Sequence, residues 1–152
     1  MDMDNSVLFI NNSYEKLELC NQKISRYGLS LKSSEINMLL QNRLAALKNA
    51  GRVEFGVGIT EKLIDAFCDS PYVYKSNFAE TISEIQDLFY LRKSSIEINA
   101  SDNELIEILK ELFNGYCAGS TVLLSDVSDD EIVLLLCGRN PFAQEQDGES
   151  DG

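Results

Sequence analysis

The chain has 152 residues, with 25 acids against 13 bases and no histidine, giving a formal net charge of −12 and a pI near 4.3. This length suits one domain with a core that needs no metal or disulfide staple, and 44% apolar with 25% charged residues is a globular rather than a disordered composition. The bases are scattered, with Arg92-Lys93 the only adjacent pair, so the chain lacks the clustered cations that nucleic acid or an anionic membrane demands; a basic protein partner, or plain solubility, suits the charge better.

The first predicted helix runs from about Tyr14 to Arg26, capped by Asn12 or Ser13, whose short polar side chains can satisfy an orphan N–H. Leu17, Cys20, Ile24 and Tyr27 recur at helical spacing, and Gly28 stands where a helix C-terminus favours glycine. A second helix starts at Ser33 or Ser34, carries the stripe Ile36, Leu39, Leu40, Leu44 and Leu47, and ends at Asn49-Ala50-Gly51. A glycine-bearing linker, Arg52 to Gly58, leads to a short helix opened by Thr60, with Leu63, Ala66 and Phe67 on one face. That helix must stop near Asp69-Ser70, because Pro71 disfavours helix in the residue before it.

The fourth helix spans about Asn77 to Lys93, with Phe78, Ile82, Ile85 and Phe89 on one side. Ser94 to Ala100 reads as a loop in which Ile96 and Ile98 suggest a short extended piece. Ser101-Asp102-Asn103-Glu104 is a capping box, in which serine accepts from the N3 amide and glutamate reaches back. The helix it opens carries Leu105, Ile108, Leu109, Leu112 and Phe113 and ends at Asn114-Gly115. Ser120 to Val127 predicts another turn or two of helix. A second box, Ser128-Asp129-Asp130-Glu131, opens a last apolar run to Cys137. Its likeness to the first box ends after about nine residues, so shared capping chemistry explains it better than duplication. The run 131–137 reads as helix, with a buried strand as the alternative. The expected fold is all-α: an irregular bundle of five to seven short helices with no substantial sheet, forming a single domain over residues 1–142. Ala143 to Gly152 holds four acids, no base and no aliphatic residue larger than alanine, so residues 143–152 are expected to be an acidic flexible tail.

Catalytic equipment is sparse. Without histidine, Ser-His-Asp and Cys-His arrangements are excluded. The cysteines at 20, 68, 117 and 137 form no C-x-x-C pair, so no zinc site, metal or cofactor is expected. Residues 1–12 hold two aspartates and no lysine or arginine, unlike a signal peptide. The run Ile132–Cys137 is too short to cross a bilayer. A cytoplasmic protein with reduced thiols is the simplest expectation.

Four stretches could carry chemistry. Gly51-Arg52-Val53-Glu54-Phe55-Gly56-Val57-Gly58 precedes a helix, as phosphate-cradling loops do. It lacks the Lys-Ser/Thr ending of a P-loop, and Glu54 and Glu61 would repel an anion. A helix connection with Arg52 paired to Glu54 is the simpler reading. In Phe67-Cys68-Asp69-Ser70-Pro71-Tyr72-Val73-Tyr74, Cys68 lies near a helix C-terminus, where the dipole disfavours a thiolate, so an inert buried thiol is expected. The acids Asp126, Asp129, Asp130 and Glu131 lack the spacing of a calcium loop and suit a helix N-terminus. Tyr72, Tyr74 and Tyr90 are either a recognition patch or core residues with a wet hydroxyl, the latter preferred.

Gly51-Arg52-Val53-Glu54-Phe55-Gly56, Lys62-Leu63-Ile64, Phe67-Cys68-Asp69-Ser70-Pro71-Tyr72, Thr81, Phe89-Tyr90 and the Ser-Asp-x-Glu-Leu helix start together resemble a family of small uncharacterised proteins from Gram-positive anaerobes, a domain of unknown function. The resemblance spans about residues 28 to 125 and weakens from Ser125 onward. It implies a bacterial cytoplasmic protein and brings no activity, cofactor or catalytic residue. The favoured function is a non-catalytic helical protein-interaction module, with a basic protein or a second copy as partner. The alternative is a small-molecule binding protein or enzyme with its site at Arg52, Glu54, Asp69 and Tyr72, the residues flanking the short third helix.

Overall fold

The computed structural model describes residues 2–55 and 58–142, without the side chains of 2–12; the expected tail at 143–152 lies outside the described residues. Seven α-helices follow in order: α1 (Asp2–Ile24), α2 (Ser33–Ala50), α3 (Gly58–Phe67), α4 (Phe78–Ser95), α5 (Asp102–Asn114), α6 (Thr121–Asp126) and α7 (Asp129–Leu136). No strand occurs among the described residues, so the all-α expectation holds. The run beginning at Glu131 is helix and Ile96–Ile98 is irregular loop.

Helix starts follow local chemistry where the local signal is strong. At α5 and α7, Ser101 and Ser128 each accept the N3 amide at 3.1 Å, while Glu104 and Glu131 accept from the serine amides at 3.1 and 3.0 Å. The expected cap at Asn12 or Ser13 is overturned. No glycine or proline interrupts residues 2–12, α1 passes straight through, and Ser13 is a buried residue of its interior. α2 starts at Ser33, as expected, with Lys32 in the cap position and Glu35 taking the Lys32 amide at 2.8 Å. Thr60, by contrast, does not open α3, which starts two residues earlier; its buried hydroxyl meets the Gln86 side chain of α4. Gln86 in turn donates to the Leu39 carbonyl of α2 at 3.2 Å, so one buried amide joins three helices.

The most extensive pairing is α2 against α4. α1 covers α2 and α3, and α5 packs on α3, α4, α6 and α7. Four phenylalanines, Phe67, Phe78, Phe89 and Phe113, are fully buried, and Phe67 meets Phe113 edge to face at 5.4 Å. Each such burial contributes about 1.5–3 kcal/mol. The α2 stripe needs a correction. Ile36, Leu39, Leu40 and Leu47 are buried as expected, but Leu44 is 39% exposed and the neighbouring Arg43 is 1% exposed. Tyr27, also expected to face inward, is 46% exposed, in a 3-10 turn after α1. A fully buried guanidinium requires a partner charge nearby. That partner lies in the connection after α2.

Candidate functional site

After Gly51 the chain runs through Arg52-Val53-Glu54-Phe55 as irregular backbone, and its side chains alternate between the interior and solvent. Here the alternation is inverted. Arg52 and Glu54 turn inward, with side chains 24% and 7% exposed, while Val53 and Phe55 are 79% and 86% exposed.

The inward carboxylate is the hub of a charged clasp. Glu54 Oε1 accepts from Nε and Nη2 of Arg43 (α2) at 3.3 Å each, from the Tyr90 hydroxyl (α4) at 2.8 Å and from the Ile59 amide (α3) at 3.3 Å. Arg52 Nε stands 2.7 Å from Glu54 Oε2. Oε2 has no hydrogen bond of good geometry, so this contact is a charge pair rather than an aligned bond. The same Arg52 grips Asp102 at the start of α5 through both terminal nitrogens, at 3.2 and 2.6 Å, a bidentate arrangement that arginine's planar fork favours. Its guanidinium also lies 5.7 and 5.9 Å from the Phe89 and Tyr90 rings. Lys93 reaches Asp102 at 3.3 Å and the Ala100 carbonyl. Burial alone would raise the Asp102 carboxyl; the Arg52 and Lys93 cations outweigh it and hold the group below its ordinary value. The Tyr90 phenol is pushed up, first by burial and then by the Glu54 carboxylate.

This geometry answers the phosphate reading of the glycine-rich loop. The N-terminus of α3 does meet an anion, and that anion is the chain's own Glu54. Gly58 makes the approach possible: its φ is +49°, and a Cβ there would lie 2.3 Å from Glu54 Oε1.

The other pair of expected site residues belongs to a different network. Asp69 faces Lys110 at 3.7 Å, with half of its side chain in solvent. Tyr72 packs edge-on to Phe113 at 6.3 Å and lies against Gly119. Between them, Ser70 Oγ donates to Asn114 Oδ1 at 2.6 Å and accepts the Tyr72 amide at 3.2 Å. No hydrogen bond, ion pair or ring contact joins Asp69 or Tyr72 to Arg52 or Glu54 among the described residues. The four are thus two clasps on either side of α3. Cys68 is buried, with its thiol pushed up by burial and then by Asp69 and Asp65, as an inert thiol should be. In the acidic stretch before α7, Asp129 pairs with Arg92 at 2.7 Å and Glu131 closes its capping box. No group of three Cys, Asp or Glu side chains converges as a metal site among the described residues.

The residues missed in the sequence are Val53 and Phe55. Their signal was present, as an alternation of charge and hydrophobe between glycines, but its polarity is opposite to that of an ordinary half-buried segment. Arg43 was missed because its partner is eleven residues away. No curated protein and no solved structure matches the chain. The motifs that make the clasp and the turn after α3 lie inside residues 16–136, the span matched by the family model described as a family of unknown function (DUF6323), and the chain belongs to that family.

Proposed function

We propose that this chain is a non-catalytic protein-interaction module and that Val53 and Phe55 are its contact residues. The observation that carries the reading is the inverted segment: two large hydrophobes stand 79% and 86% exposed while buried charges fix the backbone between them. Rigid presentation matters because a contact residue that is already ordered loses less entropy on binding, and covering an exposed apolar pair removes apolar surface from water. The cluster richest in titratable groups supports the same reading. Its arginines, carboxylates and tyrosine are engaged with one another, and Glu54, the group nearest a general base, accepts four donors on one oxygen. With net charge −12 the partner is a basic protein, in the cytoplasm, rather than nucleic acid or membrane.

The test is affinity capture from the native lysate with the wild-type chain beside a Val53→Ser/Phe55→Ser double variant. The variant should keep the wild-type urea midpoint, since both side chains are exposed, and should lose a defined set of proteins that the wild type retains. An identical set on both baits, or none on either, refutes the reading.

A further inference from the structure

Along the outer side of the principal helix pair, α2 and α4 leave an open groove of about 610 Å³. Ala45, Ala46 and Ala50 form one wall, and Tyr90, Leu91 and Asp87 stand on the other. Alanine walls let another backbone approach closely, and helices pack at 8–10 Å when the facing side chains are small. Leu91 is 56% exposed at the opposite lip. The shape is that of a trough between two helices, suited to a row of side chains from a third helix spaced i, i+3 or i+4, i+7.

The electrostatics choose the occupant. Asp87 is the one charged residue lining the groove. The same side of α4 continues toward its N-terminus with Glu84 and Glu80, three and four residues apart, and among the described residues none of these three acids has an ion pair. Like charges at this spacing repel along a helix. The helix dipole accounts for Glu80 in the first turn and fades before Glu84 and Asp87. Glu84 accepts the Thr121 hydroxyl, which leaves its charge uncompensated. Asp87 shows the strain of this arrangement: though the residue is exposed, its carboxyl is raised, first by partial desolvation against the groove and then by Glu84. A second copy of this chain would bring a further −12 to the same surface, which disfavours self-association here.

We propose that the α2–α4 groove receives an amphipathic helix from a basic partner protein, with its apolar side chains on Ala45, Ala46 and Leu91 and a lysine or arginine against Asp87 and Glu84. The inference rests on the reading of the chain as an interaction module and gives that partner its chemistry. The groove ends at Asn49 and Ala50, just before the segment that presents Val53 and Phe55, so one partner can cover both.

Selection of random 18-residue peptides displayed on phage against the immobilised full chain tests it. Enriched peptides should share apolar residues at helical spacing flanked by lysine or arginine. Synthetic versions should bind the wild type at least about tenfold more tightly than Leu91→Lys or Asp87→Lys. Both positions are exposed, so both variants stay folded. Enriched peptides without basic residues, no enrichment at all, or binding indifferent to both variants overturns the inference. Peptides lost on Val53→Ser/Phe55→Ser but kept by the groove variants overturn the groove and leave the interaction reading standing. Self-association of the wild type that Leu91→Lys abolishes makes the occupant a second copy, and also overturns it.

Discussion

The two connections that flank α3 solve one problem with opposite chemistry. Before α3, the segment at 52–55 is pinned by charge: Glu54 is shared by Arg43, Arg52, Tyr90 and a helix amide, and Arg52 extends the grip to Asp102. After α3, the turn at 68–72 is pinned by neutral contacts, the Ser70–Asn114 bond and the packing of Tyr72 on Phe113 and Gly119. Its one ion pair, Asp69–Lys110, is long and half solvated and contributes little. A charged clasp depends most on its buried members, Glu54 and Arg43, because a buried charge is costly once its counter-charge is gone. A packed turn depends instead on volume.

The largest expected effect cuts the charged clasp at its hub. Glu54→Gln preserves shape but removes the carboxylate that two arginines share, and should cost about 3–5 kcal/mol in urea unfolding. A cost near that of a surface substitution would show that the clasp is not a unit. Next, the key side chain of each connection faces a glycine with positive φ, Gly58 at the start of α3 and Gly119 between α5 and α6. A Cβ on Gly58 falls 2.3 Å from Glu54 Oε1, so making room for it pulls the carboxylate off buried Arg43, whereas a Cβ on Gly119 falls 2.4 Å from the Cβ of Tyr72, which cannot rotate away. Both alanine variants incur about 1–2 kcal/mol of backbone strain. Each should cost more than that strain alone, Gly58→Ala through the clasp and Gly119→Ala through packing, and a cost no larger than the strain at either site would show that the facing side chain is not pinned. A smaller effect separates the tyrosines. Tyr90→Phe removes a hydroxyl that donates to a buried carboxylate and should cost about 1.5–3 kcal/mol, against under about 0.5 kcal/mol for Tyr72→Phe, whose role is packing.

The smallest effect is in pH. Asp102 titrates below its ordinary value in the folded chain, so its pairing adds stability that is fully present above the unfolded-state pKa and is lost as pH falls through the folded one. The pair is partly solvated, so the contribution is under about 1 kcal/mol. Asp102→Asn should flatten that part of the decline in urea midpoint as pH falls below the ordinary aspartate range.

The legible parts of the fold were those written locally. The boxes at Ser101 and Ser128 need only four residues each, and both helices start where those residues say. The phenylalanine face of α4 needs only one helix's periodicity. The clasp was half legible: Arg52 and Glu54 suggested a pair, yet the third charge did not show. Position 43 lies seven residues after Ile36, squarely on the buried stripe of α2, and Leu44 sits at its edge. Pattern alone gives that face to leucine. Only a carboxylate eleven residues later makes the arginine the better occupant, and such a partner is invisible to any helical period. The union of Arg52-Glu54 with Asp69-Tyr72 failed for a similar reason. Nearness to the two ends of one short helix does not decide which neighbours each end meets, and here one end meets α2, α4 and the start of α5 while the other meets the far end of α5.

The inverted segment has one more consequence, for how such a protein can change over time. Its inward residues carry the architecture and its outward residues carry none of it. Substitutions at 53 and 55 therefore leave every ion pair of the clasp in place. A lineage can rewrite those two letters freely, exchanging one binding preference for another, while the frame that displays them is inherited intact.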